Sequence, residues 1–483
     1  MNFVIIVSDT FRRDHLGCYG NPWIRTPHLD AFAARACVFD RACSGSFPTV
    51  PNRAELFTGR HVFTYYDWSP LPRGERVMAE MFGEAGYVTM MIADTPHPLR
   101  SGYHFDRGFA AWQWIRGQEN DRYMSDPAEV TLPCAPHKLR KAETAVKQYL
   151  RNVSLRRHES DYFVAQTMTT AAHWLQRNYR RERFLLYVDA FDPHEPWDPP
   201  QWYVDLYDPG YHGEEVIYPA YGRCDYLTER ELQHVRALYA GEVTLVDRWA
   251  GALLRTIESL GLLDTTCVIF LSDHGLYFGE HGFIGKGIMD DRTFKAVPLY
   301  EEVIQIPMMI RVPGMRGRHR SETLAQPVDI LPTILDLAGI DRPPVVQGRS
   351  LVPALRGEPV PGRVPGRDIA VASWSVIWGP GRPSTITDGE WVLIYSGAWA
   401  EGGRRDQVIE TFAVDSGFRY EMPYTDDELR PELYHLRTDP RQERNAIGDH
   451  PEVARRLHAA YVEFLEKAGT AEEVLRHRRT LVR

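Results

Sequence analysis

The sequence lacks any run of about 18 apolar residues, the length that a membrane helix requires. Its first residues, MNFVIIVSDT, also lack a basic segment followed by a long apolar stretch and a small-residue cleavage site. No secretory signal is therefore recognised. These absences lead us to expect a cytoplasmic protein with no membrane partner.

Runs of like charge are scarce as well. The 483 residues carry a net charge of −9, and acidic and basic side chains are interspersed. A nucleic acid or an anionic lipid surface is not an expected partner, because both require a basic face. A small anionic substrate needs only local positive charge inside a pocket. Homo-oligomerisation stays open.

Cysteine pairs are also absent. The six cysteines are scattered without a C-x-x-C pair, at Cys18, Cys37, Cys43, Cys134, Cys224 and Cys267. This spacing favours reduced thiols over a disulfide framework or a zinc ribbon.

Short apolar runs alternate with longer amphipathic segments, which predicts an α/β fold with helices on both faces of a sheet. The predicted strands are FVIIVSD (3–9), YVTMMIAD (87–94), RFLLYVDAFD (183–192), TCVIFLSDHG (266–275) and PMMIRVPG (307–314). The predicted helices are TPHLDAFAARA (26–36), VAQTMTTAAHWLQRNY (164–179) and RALYAGEVTLVDRWAGALLRTIESLG (236–261).

Several of these strands end in a carboxylate. In open α/β sheets the ligand site lies beyond the carboxyl ends of the strands. The carboxylates expected to converge on one rim are Asp9, Asp94, Asp189 or Asp192, and Asp273.

The chain is predicted to comprise a catalytic α/β domain, 1–365, and a small C-terminal α+β subdomain, 366–483. The Pro/Gly-rich stretch RGEPVPGRVPGRD marks the crossing, and strand-like pieces and a final helix follow it. Within the catalytic domain, residues 136–160 are basic and polar. They are predicted to form an exposed arm, which would serve oligomerisation or simply be a solvated helix.

Two strand ends carry residues suited to metal binding. SDTFRRDHLGCYG (8–20) ends the first strand and SDHGLYFGEHGFIGKG (272–287) ends a later one. Carboxylates and imidazole held on a rigid rim are the ligands that a divalent cation needs. Between them in the sequence, TVPNRAELFTGR (49–60) supplies a hydroxyl and arginines.

With these motifs the chain resembles the sulfatase branch of the alkaline phosphatase superfamily over nearly its whole length. The further matching motifs, in order, are TPHLDAFAARACVFDRA, FDPHEPWDPP, LYEEVIQIPMMIRVPG, VDILPTILDLAGI, GRSLVPALRG and ELYHLRTDP. The resemblance implies a large, mostly parallel mixed sheet between helical layers, with a small C-terminal sheet subdomain.

The nucleophile position departs from the sulfatase pattern. Sulfatases have a cysteine or serine there, which becomes formylglycine, whereas this chain has Thr49, with Pro51 and Arg53 in register. Threonine cannot become formylglycine, and Cys43 lies too far upstream to replace it. Phosphodiesterases, phosphoethanolamine transferases and phosphomutases of the superfamily use a metal-bound threonine or serine. The similarity to them implies that Thr49 forms a covalent phospho-enzyme.

The metal positions depart from the sulfatase pattern too. Sulfatases commonly have an all-oxygen set suited to calcium, whereas this chain has Asp9-Thr10 and Asp273-His274. Asp9, Asp273, His274 and the Thr49 oxygen are the predicted ligands of one divalent metal. A second metal is the less favoured alternative, and its candidate ligands are Asp189, Asp192, His194 and His281. A mixed oxygen and nitrogen set favours Zn or Mn over Ca. Thr10 is expected only to cap the strand or to support a ligand.

The resemblance assigns roles to three further side chains. His194 is placed on the substrate-facing loop, where it would act as an acid toward the leaving oxygen or as a hydrogen-bond donor. Lys286 is placed in the substrate pocket, where its positive charge can take the place of a second metal ion. Arg53 and Lys286 are expected to stabilise charge on the transferring group or to orient Thr49.

Sulfatases have a Lys-x-His pair that binds the sulfate group, and this pair is altered here. Thr95 stands at the lysine position and His97 at the histidine position, and both are predicted substrate-binding residues together with Lys286. The loss of one cation favours a singly charged diester or phosphonate monoester over a dianionic monoester. Phosphonate monoester hydrolases of the same branch also lack this lysine and carry Asp-His at the second metal strand, although their nucleophile is formylglycine. Alternatively, Asp94 and His97 form a structural pair at the strand end.

These observations favour a metal-dependent hydrolase of phosphate diesters or phosphonate monoesters. The alternatives are a sulfatase that works without formylglycine, a phosphotransferase that passes the group to an alcohol, and a non-catalytic member that binds an anion. The sulfatase alternative is less favoured because a threonine sulfate has no easy route of collapse.

Overall fold

The structure, a computed structural model, describes all residues except 128, 291–293, 316, 358–368, 398–410, 414–417, 421–429 and 482–483. The chain forms two compact units. The first comprises Met1–Val38, Arg76–Gly285 and Pro307–Arg320, and the second comprises Phe39–Glu75, Lys286–Ile306 and Ser321–Arg483. The boundary predicted at 365/366 lies outside the described residues.

The strands of the described residues are β1 (Asn2–Ser8), β2 (Cys37–Ala42), β3 (Ser46–Phe47), β4 (Val88–Ala93), β5 (Ala111–Trp114), β6 (Phe184–Ala190), β7 (Gly222–Arg223), β8 (Thr266–Leu271), β9 (Tyr277–Phe278), β10 (Phe283–Gly285), β11 (Ile288–Met289), β12 (Phe294–Lys295), β13 (Met308–Arg311), β14 (His319–Ala325), β15 (Ala370–Trp374), β16 (Ser384–Thr387), β17 (Trp391–Tyr395), β18 (Thr411–Ala413), β19 (Phe418–Tyr420) and β20 (Glu432–His435).

The α-helices of the same residues are α1 (Pro27–Ala33), α2 (Thr49–Thr58), α3 (Met78–Glu84), α4 (Lys147–Val153), α5 (Phe163–Asn178), α6 (Gln201–Val204), α7 (Glu229–Ser259), α8 (Glu301–Ile304), α9 (Ile330–Ala338), α10 (Val352–Leu355), α11 (Pro451–Lys467) and α12 (Glu472–Leu475). None of the described helices has the length and apolarity needed to cross a membrane.

The large sheet has eight strands in the order β14-β2-β13-β8-β1-β6-β4-β5. Strands β8, β1, β6, β4 and β5 are parallel, and β13 is antiparallel to β8 and β2. Every residue of β1 and β6 is buried, which is typical of parallel strands covered on both faces. The predicted mixed, mostly parallel sheet flanked by helices is confirmed.

Helix α5 covers part of this sheet, and α7 packs beside it. Helix α5 packs against β4 and β6, and α7 packs against α5 and α1. Val188 of β6, Met168 of α5 and Val243 of α7 are all fully buried in one apolar cluster. Helix α7 begins earlier than the sequence predicted, because the Thr228 side chain caps it by accepting a hydrogen bond from the Glu231 amide (3.2 Å).

Residues 136–160 differ from the predicted exposed arm. They contain the π-helical turn Ala142–Val146 and helix α4, and Val146 and Tyr149 are 0% and 1% exposed. Charged side chains of this stretch are also largely buried against carboxylates, since Lys138, Arg140 and Arg156 are 14%, 16% and 12% exposed. Overall composition therefore gave a misleading picture of its burial.

The second unit contains a five-stranded sheet in the order β20-β17-β16-β15-β3. Strands β15, β16, β17 and β20 pair antiparallel, and β3 joins β15 in parallel. Helix α11 packs against β16 and β17 through Leu457 and Tyr461, which are fully buried. The C-terminal α+β elements predicted from the sequence are thus present.

All six cysteines lie in described stretches and are free thiols. Cys43 is buried in a small apolar cluster with Leu324 and Ala370. Burial raises the pKa of the Cys267 thiol to about 12. These environments agree with the reduced, structural thiols expected from the spacing.

Candidate active site

Three predicted metal ligands lie together in the first unit. Asp9 follows β1, and Asp273 and His274 follow β8, the parallel neighbour of β1. All three side chains are fully buried, and their donor atoms lie within 4.8 Å of one another. No other group of three His, Cys, Asp or Glu side chains in the described part of the chain is as close.

Hydrogen bonds set the orientation of Asp273 and His274. His274 Nδ1 lies 3.0 Å from the carbonyl oxygen of Gly275, so Nδ1 carries the proton and Nε2 is the nitrogen available to a metal. Asp273 Oδ1 accepts hydrogen bonds from the amide of His274 (2.8 Å) and from the amide of Thr10 (2.9 Å).

Thr10 supports both carboxylates of this group. Its hydroxyl donates to Asp9 Oδ1 (2.6 Å), and its backbone has a φ of 57°, in the left-handed region. The Tyr239 hydroxyl donates to the Thr10 carbonyl (2.8 Å) and accepts from the amide of Arg12 (2.8 Å). The expected supporting role of Thr10 matches these contacts.

This donor set fits a divalent cation. Two carboxylates and one imidazole nitrogen converge in a fully buried place, and charges buried in this way are retained when they are paired or bind a metal. The nitrogen donor suits Zn or Mn better than Ca.

His194 lies in the loop that follows β6 and is 4% exposed. Its Nδ1 donates to the carbonyl oxygen of Glu195 (2.6 Å), which leaves Nε2 as the atom able to exchange a proton. Its ring stacks on Phe191 with centroids 4.0 Å apart.

Backbone contacts tie the His194 loop to the end of β1. The amide of Asp9 donates to the carbonyl of Ala190 (2.9 Å), and the Ser8 hydroxyl donates to the carbonyl of Asp192 (2.7 Å). We call Asp9, Asp273 and His274 the metal-type cluster. The His194 loop and this cluster therefore lie at the same edge of the sheet.

His97 and Thr95 both follow β4 but have different surroundings. His97 is 7% exposed, and its Nε2 lies 3.2 Å from Glu119 Oε2. Thr95 is fully buried and donates its hydroxyl to Asp189 Oδ1 (2.8 Å). Substrate binding by Thr95 stays a prediction, with its one hydroxyl proton already engaged inside the protein.

The remaining strand-end carboxylates accept hydrogen bonds from the protein itself. Burial and the charge of Asp192 raise the pKa of Asp94, and burial raises the pKa of Asp192 to about 6. They brace the loops at the sheet edge. Their donors are Thr167 Oγ1 to Asp94 (3.0 Å), Tyr187 Oη to Asp189 (2.8 Å) and Gln118 Nε2 to Asp192 (2.5 Å).

Thr49 and Arg53 belong to the second unit. Thr49 is the first residue of α2 and is 1% exposed, and Arg53 is fully buried in the same helix. Since residues four apart occupy the same face of a helix, the hydroxyl and the guanidinium share one face.

The turn before Thr49 is fixed by Glu55. The amide of Ser46 donates to Glu55 Oε2 (2.9 Å), and the Ser46 hydroxyl binds the same oxygen. A Cβ added to Gly45 would lie 1.8 Å from Glu55 Oε1, so the backbone passes too close to the carboxylate for any larger residue.

The C-terminal sheet also holds this turn. Ser46 and Phe47 of β3 pair with Ser373 and Trp374 of β15. The Phe47 and Trp374 rings meet edge to face with centroids 4.5 Å apart, and the amide of Ser373 donates to the carbonyl of Gly45 (3.0 Å). The small sheet thus positions the backbone that leads into Thr49.

Lys286 begins the second segment of the same unit, directly after β10, and is 6% exposed. A lysine this deeply buried is uncommon unless its charge is compensated.

Comparison with known proteins identifies the family. Residues 1–340 match the family model named Sulfatase. The chain belongs to the sulfatase family.

This sulfatase-family chain is similar to an arylsulfatase of Clostridium perfringens, with 28% identity over 401 residues, which cover 72% of this chain and 77% of the relative. The phosphonate monoester hydrolase structure from Agrobacterium radiobacter aligns with a TM-score of 0.69 and 21% identity, covering 97% of this chain and 95% of that one. The structure of BT4656 with its substrate D-glucosamine-2-N,6-O-disulfate aligns with a TM-score of 0.71 and 19% identity, covering 98% and 99%. These likenesses confirm the fold.

Sequence reasoning misses two charged residues of this sulfatase-family chain. Glu119 pairs with His97, and Arg140 Nη2 donates to Glu119 Oε1 (3.2 Å). Glu119 belongs to no motif, and Arg140 lies in the basic stretch predicted to be an exposed arm. The backbone of Glu119 has a φ of 47°, which no local sequence pattern indicated.

Proposed function

We propose that this member of the sulfatase family is a metal-dependent hydrolase of phosphate diesters or phosphonate monoesters, with Thr49 as its nucleophile. The observation that carries the proposal is a threonine hydroxyl at the first position of α2, with Arg53 one helical turn further on. Threonine cannot be oxidised to formylglycine, so the hydrolysis route of sulfatases that depends on it is closed.

Asp9, Asp273 and His274 would hold the metal, with the Thr49 oxygen as the fourth donor predicted by the resemblance. Zn or Mn is the proposed ion. A bound cation of this kind lowers the pKa of a coordinated alcohol, as it does for water.

The proposed reaction has two steps. In the first, Thr49 Oγ1 bonds to phosphorus, its proton goes to solvent, and the bond from phosphorus to the leaving oxygen breaks. His194 Nε2 gives a proton to that leaving oxygen. In the second step, His194 Nε2 takes a proton from water while the water oxygen bonds to phosphorus and the bond from phosphorus to Thr49 Oγ1 breaks. Thr49 Oγ1 takes back a proton from solvent, which restores the enzyme.

Cationic side chains suit a singly charged substrate. Arg53 and Lys286 would stabilise the charge that develops on the phosphoryl oxygens. Thr95 supplies no charge where sulfatases have a lysine, which weakens the preference for a dianionic group. His97 would contact the substrate from the same loop.

A sulfatase activity is the competing candidate, favoured by the 28% identity with the arylsulfatase of Clostridium perfringens. Its difficulty is the second step, since a threonine sulfate must be cleaved by water without the collapse that formylglycine allows.

A panel of aryl esters that share one leaving group tests the proposal. The purified protein, loaded with Mn or Zn, is given a sulfate, a phosphate monoester, a phosphate diester and a phosphonate monoester. The highest kcat/KM is expected for the diester or the phosphonate, and a highest value for the sulfate would contradict the proposal. Product formed on an added acceptor alcohol would identify a transferase. No turnover of any ester would contradict the proposed hydrolase activity.

A further inference from the structure

Two buried glutamates and one arginine link the loops that carry His97 and His194. We name Glu119, Arg140 and Glu195 the carboxylate bridge. Arg140 Nη2 lies 3.2 Å from Glu119 Oε1, and Arg140 Nη1 lies 3.6 Å from Glu195 Oε1. The side chains of the two glutamates are 2% and 0% exposed.

Each glutamate of the bridge contacts one of the two histidines. Glu119 Oε2 lies 3.2 Å from His97 Nε2. The backbone carbonyl of Glu195 accepts a hydrogen bond from His194 Nδ1 (2.6 Å), and Glu195 Oε2 lies 3.4 Å from the same nitrogen. Arg140 therefore contacts two glutamates, and each of these contacts one of the two histidines.

Two tyrosines contact all three residues of the carboxylate bridge. The hydroxyls of Tyr218 and Tyr221 donate to Glu119 and Glu195, respectively. The Arg140 guanidinium lies over both rings, 4.9 Å and 4.4 Å from their centroids. A Cβ on Gly285 would approach the Tyr221 ring to 2.1 Å, so the backbone packs directly against that ring.

Charge balance gives Arg140 a specific task. A buried carboxylate is costly unless a cation pairs with it. Burial raises the pKa of Glu119, but His97 and Arg140 outweigh it and hold that pKa well below its usual range. Glu119 therefore stays ionised, and it can orient His97 by accepting a hydrogen bond from His97 Nε2.

We propose that Arg140 is a positioning residue that fixes His97 and His194 together through Glu119 and Glu195. The proposal rests on the proposed function in one respect, the roles given to the two histidines. Arg140 aligns the proton-carrying Nε2 of His194 with the leaving oxygen while His97 holds the ester. It is not a metal ligand and need not touch the substrate.

The first test compares Arg140→Met with Arg116→Met. Arg116 is a matched control because it also pairs with a buried carboxylate, Asp121 (2.7 Å), and lies over an aromatic ring, that of Trp114 (4.2 Å). Arg140→Met is expected to lower kcat/KM about 100-fold, the scale of a misplaced catalytic group, whereas Arg116→Met stays within about twofold of the wild type. Metal content should be unchanged in both.

The second test is a double-mutant cycle. If Arg140 acts through His194, the loss caused by Arg140→Met should shrink from about 100-fold to less than about tenfold in the His194→Asn background. A cycle with His97→Asn should show coupling of the same sign. Equal losses in every background would overturn the proposal, as would a wild-type kcat/KM for Arg140→Met.

Chemical rescue covers the case in which Arg140→Met does not fold. Arg140→Lys keeps one charge but not the fork that reaches both glutamates. It should fold, lose at least tenfold in kcat/KM, and regain activity with millimolar guanidinium, which should not activate Arg116→Lys. Wild-type activity, or the absence of rescue, would overturn the proposal. All assays use the ester that the wild type cleaves fastest, so a preference for sulfate would refute the proposed function and leave this test readable.

Discussion

Thr10 and Asp273 are 263 positions apart in the chain, yet the backbone amide of Thr10 donates a 2.9 Å hydrogen bond to Asp273 Oδ1. The bond exists because β1 and β8 are parallel neighbours and Thr10, two residues after the end of β1, adopts a φ of 57°. With its hydroxyl on Asp9, Thr10 orients both carboxylates of the metal-type cluster.

Removing the Thr10 hydroxyl should weaken metal binding. Thr10→Ala loses the 2.6 Å bond to Asp9, and the loss of a group that orients a ligand typically costs about 10–100-fold in metal affinity. Competition with a chelator measures the affinity. Thr10→Ser keeps the hydroxyl and should bind nearly as tightly as the wild type. An alanine variant as tight as the serine variant would refute the role given to this contact.

Replacing His274 by asparagine should change which metal is preferred. His274→Asn substitutes an oxygen donor for the nitrogen, and nitrogen ligands favour Zn over Ca. Zn affinity should fall more than tenfold in calorimetric titrations, with Ca affinity changing much less. An unchanged ratio of Zn to Ca affinity would mean that Nε2 is not a ligand.

Gly45→Ala should impair catalysis without affecting the metal. The new Cβ would meet Glu55 Oε1 at 1.8 Å and push Glu55 away from Ser46, just before Thr49. Such overpacking costs about 1–3 kcal/mol of stability and should lower kcat severalfold or more. Gly74→Ala is the control, because a Cβ there has nothing within 4 Å. Wild-type kcat for Gly45→Ala would show that this turn tolerates displacement.

Asp247 should make stability fall as the pH rises. Its carboxylate accepts the amides of Leu29 (2.7 Å) and His28 (3.2 Å) at the start of α1, and burial raises its pKa to about 7. In the unfolded chain the pKa of an aspartate is about 3.9. The folded state binds more protons between these values, so the free energy of unfolding decreases as the pH increases from about 4 to 7.

Asp247→Asn removes this contribution. Urea unfolding at several pH values should show the variant gaining stability relative to the wild type as the pH rises from 5 to about 8. A difference that does not change with pH would mean that Asp247 ionises normally in the folded protein.

The strands and the residues that converge at their ends were predictable because their signals are local. Buried parallel strands are continuous apolar runs, and a carboxylate directly after such a run lies at the ligand edge of the sheet. Asp9, Asp273 and His274 followed from this rule together with the family resemblance, and the structure brings their donor atoms together.

Contacts that depend on tertiary packing were not predictable. Strand β3 has only two residues, and its partner β15 lies far along the chain, so no local pattern links them. Arg140 lies in a stretch whose basic composition is typical of a solvated surface. Its burial follows from the rings of Tyr218 and Tyr221, which the sequence places elsewhere.

The covalent intermediate on Thr49 is the most direct test of the proposed mechanism. The metal-loaded protein is mixed with an aryl phosphonate monoester or phosphate diester, quenched in acid during turnover, and analysed by intact-mass and peptide mass spectrometry. We expect one phosphorus-containing adduct per chain, located on Thr49, and neither adduct nor turnover in the nearly isosteric Thr49→Val variant. Turnover by Thr49→Val, or an adduct on another residue, would contradict the assignment of Thr49 as the nucleophile.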